Sequence, residues 1–271
     1  RRNSARSRTP KSVYSGQENC APVSTCTAAL PAALAQQNAE ALFGVVLTQL
    51  VNPGTPVMYG SFTSNVDMKS GAPAFGTPEN AKANIVGGQL ARRYGIPYRS
   101  SNVCAANTVD SQAAYEAVFS LWGAINGGAN MLMHGAGWLE GGLIASPEKF
   151  IMDCEVLQQI QRYLQPEICA TGPEEIALEA IREVGNDGHF FGIQHTQDRY
   201  TTAFYQPYLS DWRNYEAWEG AGGVWTAERA NKMYKEILAE FEAPPLDAAI
   251  HEELRAFVDR RISEGGAPTD F

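Results

Sequence analysis

GIPYRSSNVCAANTVDSQAAYEAVFSLWGAINGGANMLMHGAGWLEGGL, Gly95 to Leu143, holds two short extended runs, each followed by a loop of small and polar residues. A short extended run ends in a small, polar loop, Ser100 to Asn107. Asp110 then caps a helix that runs through Asn126 and closes at Gly127 and Gly128. A second apolar run, Ala129 to Met133, ends at His134, and a glycine-rich loop with Trp138 and Glu140 follows. Polar groups thus gather twice at the C-terminal ends of candidate parallel strands, where repeating βα folds place their chemistry.

The same alternation extends outward. Upstream, Ala29 to Leu50 is rich in Ala and Leu and reads as a helix, stopped by Asn52, Pro53 and Gly54. Pro56 to Tyr59 is a candidate strand, followed by a polar loop of 17 residues, Gly60 to Gly76. Thr77 caps the next helix, with Pro78 at its first position and Gly95 at its end. Ile96 to Arg99 is the strand that enters that first stretch, and Ser146, Pro147 and Glu148 open a helix that ends near Leu164. Three successive βα units predict an α/β fold with a parallel sheet. Short strands and wide loops after them favour a (β/α)8 TIM-type barrel over an open doubly wound sheet, and no GxGxxG follows a strand. So few strands predict only the C-terminal part of such a barrel, carried by residues 29–271. Further helices are expected from Thr171–Pro173 to Val184, from Thr226 to about Glu240 and from Asp247 to about Ile262.

The 271 residues are 44% apolar and 19% charged, with net charge −9. The first eleven residues hold five bases and no acid, so the remaining 260 carry 16 bases against 30 acids, or −14. A body that acidic argues against nucleic acid as a partner. Residues 1–28 show no usable period and are read as a disordered or non-native segment. No apolar run reaches the roughly 18 residues of a membrane span. Five cysteines without CxxC spacing (Cys20, Cys26, Cys104, Cys154, Cys169) suggest reduced thiols and a cytoplasmic location. The four scattered histidines make no zinc signature, so no metal is expected.

Several residues are candidates for chemistry, each with a plain structural alternative. The polar loop offers Tyr59, Ser61, Phe62, Asn65 and Asp67 to a ligand, although such residues are common in any loop. Asn102 and Asn107 flank a small-residue loop that leaves room for something large. Cys104 lacks a nearby histidine and reads as a bystander thiol. His134 and Glu140 sit among glycines that let a ligand approach the backbone, and Trp138 offers a ring face for stacking or cation–π attraction. Gln194 and His195 lie in an aromatic-rich segment that can equally be packing. Lys69 and Lys82 fall in a loop and a helix, which weakens a Schiff-base lyase reading.

The long runs ALAQQNAEALFGVVLTQLVNPGTPVMYGSFTSNVDMKSGAPAFGTPE, GGQLARRYGIPYRSSN, DSQAAYE, SLWGAINGGAN and HGAGWLEGGLIASPEKFIMDCEVL resemble the trimethylamine methyltransferase family of corrinoid-dependent enzymes. The resemblance covers Ala33 to Leu157 closely and implies a C-terminal part of a longer (β/α)8 enzyme. It implies transfer of a methyl group from a methylated amine to the cobalt of a corrinoid held by a small partner protein, with no cofactor bound by the chain itself. The family's pyrrolysine position is expected near the Asn102–Asn107 loop, and only standard residues occur there, so a quaternary amine such as a betaine is the expected substrate. Under that reading His134, Glu140 and Asp67 are the expected catalytic residues. Tyr59, Ser61, Phe62, Asn65, Asn102, Asn107, Trp138, Gln194 and His195 are the expected substrate contacts. The competing reading is an inactive or ligand-binding barrel fragment, whose bare sheet edges and apolar faces would favour self-association.

Overall fold

The structure, a computed structural model, describes residues 14–15, 29–166 and 176–266. In chain order the elements are β1 (Tyr14–Ser15), α1 (Leu30–Val51), β2 (Val57–Gly60), β3 (Asn65–Val66), β4 (Pro73–Ala74), α2 (Pro78–Tyr94), β5 (Tyr98–Ser101), α3 (Ser111–Asn126), β6 (Met131–Met133), β7 (Trp138–Leu139), β8 (Ile144–Ala145) and α4 (Pro147–Tyr163). Then come α5 (Leu178–Val184), α6 (Gln194–Gln197), α7 (Tyr215–Gly220), α8 (Thr226–Ala239) and α9 (Ala248–Ser263). The chain divides into two compact units, Arg1–Tyr234 and Lys235–Phe271, the second of which holds α9.

Strands β1, β2, β5 and β6 form one parallel sheet in that order, with Tyr59 opposite Tyr98, Gly60 opposite Arg99 and Ser101 opposite Met133. The fold is therefore α/β with helical crossovers. Two small antiparallel hairpins, β3–β4 and β7–β8, decorate it.

Local chemistry sets the helix starts. Thr77 accepts from the Asn80 N–H at 3.3 Å, Asp110 from the N–H groups of Gln112 and Ala113 at 2.9 and 3.2 Å, and Ser146 from the Lys149 N–H at 3.2 Å. Gly95 ends α2 at φ +65°, a left-handed value. Two expected strands begin later than their apolar runs. Pro97 has no N–H to give, so β5 begins at Tyr98 and takes in Ser100 and Ser101. Asn130 uses its side-chain oxygen to accept from the Tyr98 N–H at 2.9 Å, and β6 begins after it. The loop Gly60–Gly76 is not plain coil, because the β3–β4 hairpin lies inside it. Tyr14–Ser15 differ from the expected coil by pairing with Val57–Met58. The rest of residues 1–28, the helix start at Thr171–Pro173, and Cys20, Cys26 and Cys169 lie outside the described residues.

Helices α1 and α2 cover one face of the sheet, where Ala41, Tyr59, Ala91 and Tyr98 form a buried cluster. A polar seam runs through it. Gln37 accepts from Ser61 Oγ at 3.1 Å, and Asn38 accepts from the hydroxyls of Tyr59 and Tyr94, each at 3.1 Å. The Tyr98 hydroxyl donates to the Asn84 carbonyl at 2.8 Å. Helices α2 and α3 meet almost backbone to backbone. A Cβ at Gly88 would lie 1.8 Å from the Gly127 carbonyl oxygen, and one at Gly123 would lie 2.7 Å from the Ala81 Cα. Backbone cannot yield as a side-chain tip can. Gly88→Ala is therefore expected to lower stability by about 1–3 kcal/mol through overpacking, read as a shift in the urea midpoint. An unchanged midpoint would show that the two helices part freely.

Candidate functional site

The opposite face of the sheet carries the site. Side chains alternate along a strand, so Tyr98 faces the helices and Arg99 faces away from them. Arg99 is fully buried, and its guanidinium carbon lies 6.0 Å from the centre of the Phe62 ring. Phe62 follows β2, and its ring is 4.8 Å from that of Phe75 and 6.3 Å from His134. His134 follows β6 and meets Trp138 edge-on at 5.6 Å. A chain of four rings therefore runs across the ends of β2 and β6, with a cation beside it.

Three buried polar atoms here have no hydrogen-bond partner among the described residues: Ser101 Oγ, Asn102 Oδ1 and His134 Nδ1. A buried polar atom without a partner costs roughly 1–3 kcal/mol, so such a group marks a place where a ligand or water completes the structure. Burial, and secondarily the charge of Arg99, holds His134 below its ordinary value, so its imidazole is neutral at pH 7.

The loops behind the rings are laced together. Asn102 Nδ2 donates to the Gly135 carbonyl at 2.9 Å and the Cys104 thiol donates to the Trp138 carbonyl at 3.2 Å. The Glu140 N–H donates to Ala106 at 2.9 Å and the Gly141 N–H to Cys104 at 2.8 Å. Buried carboxylates hold both sides. Glu116 accepts from the N–H groups of Ala105 and Ala106 at 2.8 and 2.9 Å. Asp153 accepts from the Gly137 N–H at 2.9 Å and pairs with the buried ammonium of Lys149 one helical turn away. Desolvation pushes the Asp153 carboxyl up, while Lys149 pulls it back.

The expected site residues separate into two groups. Phe62, Asn102, His134 and Trp138 come together. Tyr59 and Ser61 turn to the helix side and bond Asn38 and Gln37. Asn65, in the small hairpin, accepts from Oγ1 of Thr77, the residue that caps α2, at 2.5 Å. Asp67 sits at that hairpin's exposed turn, where the Ser70 hydroxyl at 2.6 Å and two backbone N–H groups hold its carboxyl below the usual range. Asn107 and Glu140 are exposed, and Glu140 has φ +49°. Gln194 donates to Asp198 at 2.6 Å on α6, and the His195 carbonyl accepts from Arg199 at 3.1 Å. Arg99, Ser101 and the Lys149–Asp153 pair are additions. An arginine inside the four-residue strand Tyr98–Ser101 was the available signal for the first. Among the described residues, no group of three or more His, Cys, Asp or Glu stands together as a metal site, and no helix is long and apolar enough to cross a membrane.

A ring-lined, cation-bearing site at the C-terminal ends of parallel strands is the place where α/β enzymes bind small molecules. A family model described as "Trimethylamine methyltransferase (MTTB)" matches residues 18–266, and the chain belongs to that family. It is 39% identical over 244 residues to a glycine betaine methyltransferase of Desulfitobacterium hafniense (strain Y51), covering 90% of this chain and 50% of that protein. It is 33% identical over 234 residues to the trimethylamine methyltransferase MttB2 of Methanosarcina mazei, covering 85% and 46%. A trimethylamine methyltransferase MttB of Desulfitobacterium hafniense (strain DSM 10664 / DCB-2) is 32% identical over 245 residues, covering 89% and 48%. The chain thus spans about half the length of the curated relatives it matches.

Two measurements test this geometry. Asp153→Ala strands the buried Lys149 charge and is expected to cost about 3–5 kcal/mol, whereas Asp153→Leu combined with Lys149→Met recovers most of it. Equal melting temperatures for the single and double variants would remove the ion pair from the account. Burial pushes the Cys104 thiol up from 9.0 to about 11. A raised value in the fold favours the protonated form. The stabilising contribution is therefore complete below pH 9 and is lost as the pH rises through about 11. Native protein is expected to leave Cys104 unalkylated by iodoacetamide at pH 8, and prompt labelling would contradict its burial.

Proposed function

We propose that this chain carries the amine-binding part of a methyltransferase that moves a methyl group from a quaternary amine of the betaine type to a corrinoid protein. The observation that carries the reading is the open polar cluster of Ser101, Asn102 and His134 beside the Arg99 cation and the Phe62–His134–Trp138 rings. A betaine has two unlike ends. Ring faces suit its quaternary ammonium, which cannot donate a hydrogen bond and is cheaply stripped of water. A guanidinium suits its carboxylate. Trimethylamine has no carboxylate and leaves Arg99 without a role in binding. The names of the relatives, which include a glycine betaine methyltransferase as well as trimethylamine methyltransferases, support the substrate class.

The chemistry asks little of the chain. A quaternary nitrogen already carries the charge that makes the amine a leaving group, so no side chain has to donate a proton to it. The corrinoid, held by a partner protein, supplies the cobalt nucleophile that takes the methyl group. The residues fit an approach by something broad at Gly135, where an added Cβ would meet nothing nearer than 3.8 Å. What remains for the chain is to orient the amine and exclude water, both of which lower the barrier by fixing geometry before reaction. Neutral His134 adds no competing positive charge beside the ammonium. We read the sheet as an arc of a (β/α)8 barrel. Its strands follow one another in chain order without the reversal that marks a doubly wound sheet, which supports that reading.

Calorimetry with glycine betaine and with choline, which keeps the quaternary head but lacks the carboxylate, separates the two ends. Arg99→Met is expected to weaken glycine betaine binding at least tenfold, about 1.4 kcal/mol, and to leave choline binding unchanged. Equal losses for both ligands, with the circular dichroism intact, would remove Arg99 from the carboxylate site. Anaerobic methyl transfer to a reduced corrinoid protein, followed by cobalt(I) absorbance, then tests turnover. Binding without transfer would favour the ligand-binding reading that the half-length coverage keeps open.

A further inference from the structure

Where the ends of β2 and β5 meet α2 and α3 there is a cavity of about 10 Å³. Five polar residues line it: Ser61 after β2, Ser101 at the end of β5, Asn80 and Asn84 on α2, and Ser120 on α3. All five are buried. One water molecule needs roughly 10–15 Å³ and two to four polar partners. A betaine or any other amine of several heavy atoms is far too large. Neither Asn102 nor His134 lines the cavity, so it is separate from the amine site proposed above.

The protons around it do not balance. Ser120 spends its one hydroxyl proton on the Val103 carbonyl at 2.7 Å. Its oxygen then faces Asn80 Oδ1 at 3.4 Å with no proton between the two. Asn80 Oδ1 is otherwise reached by the Gly76 N–H at 3.5 Å, at the outer limit of a hydrogen bond. Ser61 gives its proton to Gln37 at 3.1 Å. Three oxygens thus stand as acceptors, while Ser101 Oγ, a donor, is buried with no partner among the described residues.

We infer that one water molecule is bound in this cavity, accepting from Ser101 Oγ and donating to Asn80 Oδ1 and to a serine oxygen, Ser61 or Ser120. Three hydrogen bonds are the usual complement of a buried water. The lining itself selects against ions. An anion would find more acceptors than donors. A bare cation would find no carboxylate, and the guanidinium of fully buried Arg99 lies two residues from Ser101 on the same strand. The water ties the end of β5 to α2, and the next residue along the chain is Asn102. It is therefore part of the scaffold that holds Asn102 in place.

A crystal structure of the chain, at a resolution that shows ordered water, tests this. One peak is expected in the cavity, within hydrogen-bond distance of Ser101 Oγ and Asn80 Oδ1. A map without that peak overturns the inference. An anomalous peak there after a thallium(I) soak also overturns it and assigns the cavity to a monovalent cation. Ser101→Val puts methyl groups in place of the donor. It is expected to lose the peak and, in solution, to hold one long-lived water fewer than the unsubstituted chain by water relaxation dispersion. A peak and a count that both persist in this variant remove Ser101 as the anchor and overturn the inference. If the variant does not fold, the map of the unsubstituted chain decides alone. Calorimetry with glycine betaine reads the amine site, so the two readings fail separately.

Discussion

The buried carboxylate of Asp153 is the constraint on which the site depends. It takes a backbone N–H from Gly137 and a charge from Lys149, both in places closed to water. Such a pair adds little to net stability, because desolvation offsets most of the attraction, but losing one member is costly. Its value is directional. It fixes where the loop after β6 turns, and that loop carries His134 and Trp138 to the rings of β2. Glu116 does the same for the loop after β5, and Glu155 for the stretch at Leu209 and Ser210, whose N–H groups it accepts at 2.5 and 3.1 Å. Loops rich in small residues have few side chains of their own to pack. Here charged groups on the following helices supply the fixed points.

The parts of the fold legible in the sequence were those set by neighbours. Thr77, Asp110, Ser146 and Asp247 announce helix starts because each bonds an N–H two or three residues ahead. The buried charges were not legible. Lys149 and Asp153 on α4 carry no local sign of burial, and their meaning comes from Gly137, 16 residues away from Asp153. Facing was equally hidden. A four-residue strand gives no way to tell which side the helices will take, so Tyr59 reads as ligand-facing when it packs under α1 and α2. Asp67 is a turn residue for the usual reason, an acceptor placed to bond the N–H groups that follow it.

The site sets a buried cation beside a row of rings. His134 belongs to both parts of the site: its ring lies 6.3 Å from that of Phe62, and its Nδ1 stands with Ser101 Oγ and Asn102 Oδ1 among the buried atoms without a partner among the described residues. The Arg99 guanidinium carbon lies over the ring of Phe62, 6.0 Å from its centre.

His134 has φ +54°, a left-handed conformation that few side chains adopt without strain. Glycine enters this region freely, and asparagine, aspartate and histidine do so more readily than most residues. Valine or isoleucine would pay roughly 1–2 kcal/mol before touching any ligand. The backbone therefore narrows the alphabet at this position independently of chemistry. Change at this site has little freedom at 134, and it would have to run through the flanking rings of Phe62 and Trp138, whose φ angles are unexceptional.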